Sequence, residues 1–204
     1  VATGFINNGT IELTSANCGN GATLNVNSGP LINAPGARIA SLPGAGGARS
    51  INAQIENRGV IDTDQSMNVG NNSRIFASDS GTLDVANAQA LTITNGKTVL
   101  GLGTTMLGGG VIDLAGTHTL QLSGDLTHSS GTSSLTFSGS VTVVDGPEAE
   151  AAHLINLGTL TFTSDTINVP LDNRGLLLVP AGTSKINGEL TTGSDPGSVI
   201  RIIG

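Results

Sequence analysis

The sequence predicts an all-β chain wound as a right-handed parallel β-helix, a β-solenoid with coils of about 24 residues. Three observations carry that expectation. Glycine makes up 30 of the 204 residues while only 11% are charged, against usual shares of about 7% and about 25%. A short pattern of apolar residues, Asn and Gly recurs along the chain. No segment shows a convincing helical period.

The core follows from what the chain lacks. Hydrophobic residues make up 37% of it, but there is no Trp, no Tyr and only four Phe, at positions 5, 76, 137 and 162. A buried interior must therefore be built from Val, Ile, Leu and Ala. Length allows one or two domains, and nothing in a motif scattered over positions 5 to 179 requires a second, so a single domain over 1–204 is expected.

The pattern is an apolar residue, then Asn, Gly and two further apolar residues, each separated by one position. It appears as Phe5, Asn7, Gly9, Ile11, Leu13; as Ile55, Asn57, Gly59, Ile61; as Leu154, Asn156, Gly158, Leu160, Phe162; and as Leu171, Asn173, Gly175, Leu177, Val179. Weaker copies replace the Asn: Ala77, Asp79, Gly81, Leu83, Val85; Met106, Gly108, Gly110, Ile112, Leu114; and Leu135, Phe137, Gly139, Val141, Val143. Leu31, Asn33, Gly36, Ile39 carries insertions. Strict alternation after each Gly marks a strand, and the mean step between these glycines, about 24 residues, is a solenoid period. Second strands follow at Leu91 and Ile93, Leu120 and Leu122, and Ile167 and Val169. Such coils bury their apolar side only by stacking. Eight to ten of them, about 4.8 Å apart, make a rod of roughly 40 to 45 Å. Pro147 to His153 is the one candidate for a helical turn, with Pro at its start and acids near its front.

The repeated Asn is expected to be structural, because an amide, with two donors and an acceptor oxygen, can bond to the amide above and the backbone below. Asn also tolerates the left-handed turn conformation that Gly adopts at no steric cost. The run resembles the coil motif of filamentous-haemagglutinin-type adhesins and autotransporter passengers, secreted bacterial β-helices. The resemblance implies a secreted or cell-surface module that holds length and makes contacts without catalysis.

Composition narrows the partners. Eight Lys and Arg against fifteen Asp and Glu give a net charge of −7. Without clustered cations or aromatic platforms no nucleic-acid partner is expected. The apolar runs are far shorter than the roughly 20 residues of a spanning helix, and no membrane span is expected. Cys18 has no second Cys for a disulfide or a metal site. No cofactor is implied.

Candidate sites are weighed against plainer readings. Asp62 and Asp64 lie two apart on one strand face, as paired carboxylates of a polysaccharide-cleaving enzyme would require, with Arg38, Arg49, Arg58 and Arg74 as possible helpers. Solvated outward acids explain them as well, and no sugar-stacking ring is present. Asp145, Glu148 and Glu150 cluster on a turn that could offer oxygens to Ca²⁺, although the spacing matches no calcium loop. His118, His128 and His153 are scattered. Thr92 and Thr94, and Thr159, Thr161 and Thr163, alternate as an outward Thr face for a regular hydroxylated surface would, though Thr is also a common strand residue. Asn8-Gly9-Thr10 and Asn71-Asn72-Ser73 match glycosylation acceptors. The Gly/Ala/Pro-rich stretch Asn33 to Ser50 is expected to be a long loop suited to a partner. Strand-like residues run nearly to both ends, from Phe5 and to Ile203, which implies continuation into a longer solenoid or end-to-end stacking of copies. The leading expectation is a stalk, adhesin segment or filament subunit. The alternative is a carbohydrate-active β-helix, a lyase, hydrolase or polysaccharide-binding module.

Overall fold

Alternating burial sets the architecture. In the strand Arg49–Asn57 every second side chain is sealed inside, and in Ala90–Leu100 and Val111–Leu122 the same alternation runs on either side of a bend. One apolar face per short strand cannot be covered locally, so each turn of chain lies on the one before it. The computed structural model describes residues 1–17, 19–70, 72–147, 151–194 and 196–203. It is a parallel β-solenoid of about eight turns, with turns about 23 residues apart and no helix among the described residues. Among the described residues 22 strands, β1 to β22, form three sheets, and every described strand pair is parallel.

Each turn carries three rows of strands. The 13-stranded sheet holds the first two rows. Thus β5 (Arg49–Asn57) crosses both rows, pairing with β7 (Met67–Gly70) and then with β8 (Ile75–Ala77). The third row is divided. One sheet of five strands ends at β11 (Thr105–Gly108), and one of four begins at β13 (Leu126–His128), with no strand pairing between them.

Registered columns fill the interior. Leu24, Ile51, Val69, Ile93, Leu114, Phe137 and Phe162 follow one another along the first row. Leu31, Ile55, Phe76, Thr98, Leu120, Val143 and Ile167 do so along the second. Ile11, Ile39, Ile61, Leu83 and Met106 line the third. The column is mainly aliphatic, as the composition requires, with Phe76, Phe137 and Phe162 fully buried within it.

Three sequence expectations need correction. The eight glycines do not form one stack. Gly9, Gly59 and Gly81 lie where the second row passes to the third, in one column with Ala37 rather than Gly36. Gly110, Gly158 and Gly175 lie where the third row returns to the first, and Gly139 pairs with Gly116 at the bend between the first two rows. The motif is thus a corner device used at more than one corner, and the average spacing came out near the true one because the turns are similar in length. Nor is a left-handed φ the reason for the motif glycines, since only Gly36 among the eight has a positive φ. Close packing is the reason at Gly59 and Gly175, where a Cβ would press on the carbonyl oxygens of Ala37 and Gly158.

The third correction concerns Asn33 to Ser50, which is not a free loop. It contains the third-row strand Arg38–Ser41, and the remaining insertion wraps around Arg49. The candidate helical turn and the acidic turn fall partly on Glu148, Ala149 and Glu150, outside the described residues, as do Cys18 and Asn71.

Candidate functional site

Two buried amide ladders run parallel to the solenoid axis. Asn7 Nδ2 donates to Asn33 Oδ1 at 2.9 Å, Asn33 Nδ2 to Asn57 Oδ1 at 2.8 Å, and Asn57 Nδ2 to Ser78 Oγ at 2.9 Å. Each amide's second hydrogen reaches a carbonyl across the corner, on Arg38, Val60 and Thr82. At the other corner, Asn156 Oδ1 lies 2.9 Å from His128 Nδ1, while Asn156 Nδ2 donates to Asn173 Oδ1 at 2.8 Å. The repeated Asn therefore holds turn to turn. Ser78 and His128 complete the ladders, and the spacing rule could not find them because neither is an amide.

The paired acids sit on the outer face of the third row. Asp62 stands beside Asp84 in the next turn. Arg38, one turn before, donates to Asp62 through Nε at 3.0 Å and through Nη2, and its Nη2 also lies 3.8 Å from Asp64. Burial, together with the neighbouring Asp62 and Asp64, pushes the Asp84 carboxyl above its ordinary range. Asp62 and Asp64 are thus joined by Asp84, which periodicity along one strand could not reveal. Arg58 pairs with Glu56 at 3.3 Å, and Arg74 lies at a different bend from Arg38.

Arg49 is no surface cation. It is almost wholly buried, and its guanidinium donates to the carbonyls of Leu42, Gly46 and Gly47 at 2.6 to 3.1 Å. It organises the insertion that was expected to face a partner.

The histidines occupy separate surroundings. His118 points into the core, where Nε2 meets Thr98 Oγ1 at 2.8 Å and Nδ1 has no partner. Burial lowers its pKa to about 4. His128 belongs to the second ladder, and His153 is exposed. Among the described residues no group of three His, Cys, Asp or Glu could hold a metal.

The threonines stack only in part, for Thr94 stands between Gly70 and Ala115 and Thr159 beside Leu176. Thr92, Asp113, Thr136 and Thr161 form one outward column. Asp113 interrupts it, accepting a hydrogen bond from Ser138 Oγ at 2.8 Å, and burial raises its carboxyl above the ordinary range. The sequence also gave no sign of Asp165, a buried carboxylate that accepts from the N–H groups of Val141 and Thr163, both at 2.7 Å. No helix among the described residues is long and apolar enough to cross a membrane.

No protein family, curated protein or solved structure matches the chain. Local chemistry and geometry must therefore support any functional reading.

Proposed function

We propose that the chain is a non-enzymatic structural and adhesive module, secreted or displayed at a cell surface. It serves as a rigid stalk, adhesin segment or filament subunit. One observation supports this most strongly: side-chain amides are spent on buried bonds from turn to turn, as in Asn7, Asn33 and Asn57. Such bonds couple each turn to its neighbours, so bending or peeling one turn would strand buried polar groups. The resemblance of the Asn-Gly corners to filamentous-haemagglutinin-type adhesins supports the same reading, and so does the engagement of Asp62 by Arg38.

The rival reading, a carbohydrate-active β-helix, draws on one arrangement. Asp84, raised toward its neutral form, stands in register with Asp62, which Arg38 holds. A pair of neighbouring carboxyl groups is what acid–base cleavage of a glycosidic bond uses.

One experiment decides between them. The purified protein is incubated with a panel of plant and bacterial polysaccharides, and released reducing ends and unsaturated products are followed, while electron microscopy records particle shape across protein concentrations. The scaffold reading expects rods or fibres and no turnover above buffer. Turnover that disappears in D62N and D84N would replace it with the enzymatic one.

A further inference from the structure

The acceptor pattern Asn8-Gly9-Thr10, an Asn followed two positions later by a hydroxyl residue with no Pro between, is given a particular place by the fold. It spans the corner between β1 (Thr3–Asn7) and β2 (Thr10–Leu13), where the second row of strands passes to the third. Successive side chains along a strand point to opposite faces. Asn7 turns inward and is spent on the amide ladder, donating to Asn33 and to the Arg38 carbonyl. Asn8 turns outward, and Asn8, Gly9 and Thr10 are all exposed. Among the described residues no hydrogen bond engages the Asn8 amide or the Thr10 hydroxyl.

This exposure belongs to the corner, not to the first turn alone. Two turns further on, Arg58 holds the same position before Gly59, with strands stacked on both sides of its turn, and its side chain is still 55% exposed. Ser80 repeats the position in the following turn, before Gly81, and is exposed as well. Side chains at this position leave the rod sideways, so a neighbouring turn does not cover them.

We propose that Asn8 is a site of N-linked glycosylation in the folded protein. The donor is a sugar diphosphate, carried on a nucleotide or a lipid, and a glycosyltransferase supplies the base. Asn8 Nδ2 bonds to the anomeric carbon of the sugar as the bond from that carbon to the diphosphate oxygen breaks. The diphosphate keeps the electron pair, and one amide hydrogen leaves as a proton to the base. Thr10 is the second half of the pattern that the transferase reads. The product is a bulky, solubilising group standing off the corner, while Asn7, one residue away, keeps its bonds to Asn33 and Arg38. A sugar there shields the outer surface without disturbing the stacking beneath it. The proposal rests on the secreted or surface-displayed role above, whose rod shape and lack of turnover are tested separately.

Folded, sugar-free protein is incubated with a soluble N-glycosyltransferase and its nucleotide-diphosphate hexose, and peptide mapping by mass spectrometry follows hexose addition. A synthetic peptide of residues 4–14 serves as the unfolded reference. The wild type should gain hexose on the peptide that carries Asn8. N8Q and T10V should bring addition at that corner to background, T10S should retain most of it, and N71Q, in the second acceptor pattern, should leave it unchanged. N8Q and the glycosylated wild type should both melt at the temperature of the sugar-free protein. Addition to the peptide but not to the folded chain, addition to neither, or equal addition in the wild type and T10V would overturn the proposal.

Discussion

Asn33 donates an amide hydrogen to Asn57 one full turn later, at 2.8 Å, with both side chains closed off from solvent. Asn52 makes a similar bond to Asn25 at 2.7 Å, but on the exposed surface. Equal geometry in different surroundings gives different energies, because a buried polar group left alone costs about 1–3 kcal/mol whereas an exposed one is met by water. N33A strands one of the two hydrogens on Asn7 Nδ2, the other staying with the Arg38 carbonyl, and leaves Asn57 Oδ1 without its donor. It should destabilise the protein by about 2–4 kcal/mol, and N52A by less than about 1 kcal/mol. Urea midpoints of the two variants, compared at equal slope, provide the measurement.

Gly59 and Gly9 occupy the same column but differ in room. A Cβ at Gly59 would press on the Ala37 carbonyl, whereas nothing lies within 4 Å of a Cβ at Gly9. Overpacking costs typically about 1–3 kcal/mol. G59A should therefore lower the melting temperature clearly, and G9A should leave it nearly unchanged.

His118 makes stability depend on pH. Its folded pKa, about 4, lies below the ordinary 6.5, so between these values the unfolded chain takes up a proton that the folded chain refuses. Stability is complete above pH 6.5 and is lost as pH falls toward 4, by on the order of 3 kcal/mol. Asp84, Asp113 and Asp165, all raised by burial, act in the opposite direction, because folding favours their protonated forms and that contribution is lost as pH rises. H118Q isolates the histidine. Its urea midpoint should fall less than that of the wild type between pH 6.5 and pH 4.

Arg49 holds the insertion between the third row of one turn and the first row of the next through three carbonyls. R49M keeps much of the volume and removes every donor. Limited proteolysis of R49M should cut between Leu42 and Ala48 at protease levels that leave the wild type intact, while R58M, at an exposed ion pair, should behave like the wild type.

Much of this fold was legible in the sequence because its rules are local. Alternation gave the strands, and Asn7, Asn57, Asn156 and Asn173 stood at a fixed spacing from Gly, which identified them as stacking residues. The choice of corner was not legible, since the same five-position motif turns the chain equally well from the second row to the third or from the third to the first. Only the neighbouring turn decides. Asn33 sits in its ladder despite the insertion that displaces Gly36, because register is set by pairing with Asn57 rather than by the distance to a glycine. Arg49 resembled a surface cation because its partners are backbone carbonyls, which carry no side-chain signal. Asp84 meets Asp62 only across turns, and one strand cannot show that.

Ladders and corners both depend on stacking in register, and disulfide mapping tests it directly. In a C18S background, Thr136 and Thr161 are replaced by Cys as one pair, since they face outward on consecutive turns in direct register. Thr136 and Thr142 form the control pair, on different rows of the same turn. Mild oxidation should close T136C/T161C rapidly, because parallel neighbours stand about 4.8 Å apart and within disulfide reach, and should leave T136C/T142C open. Closure of the control alone, or of neither pair in folded protein, would contradict the solenoid.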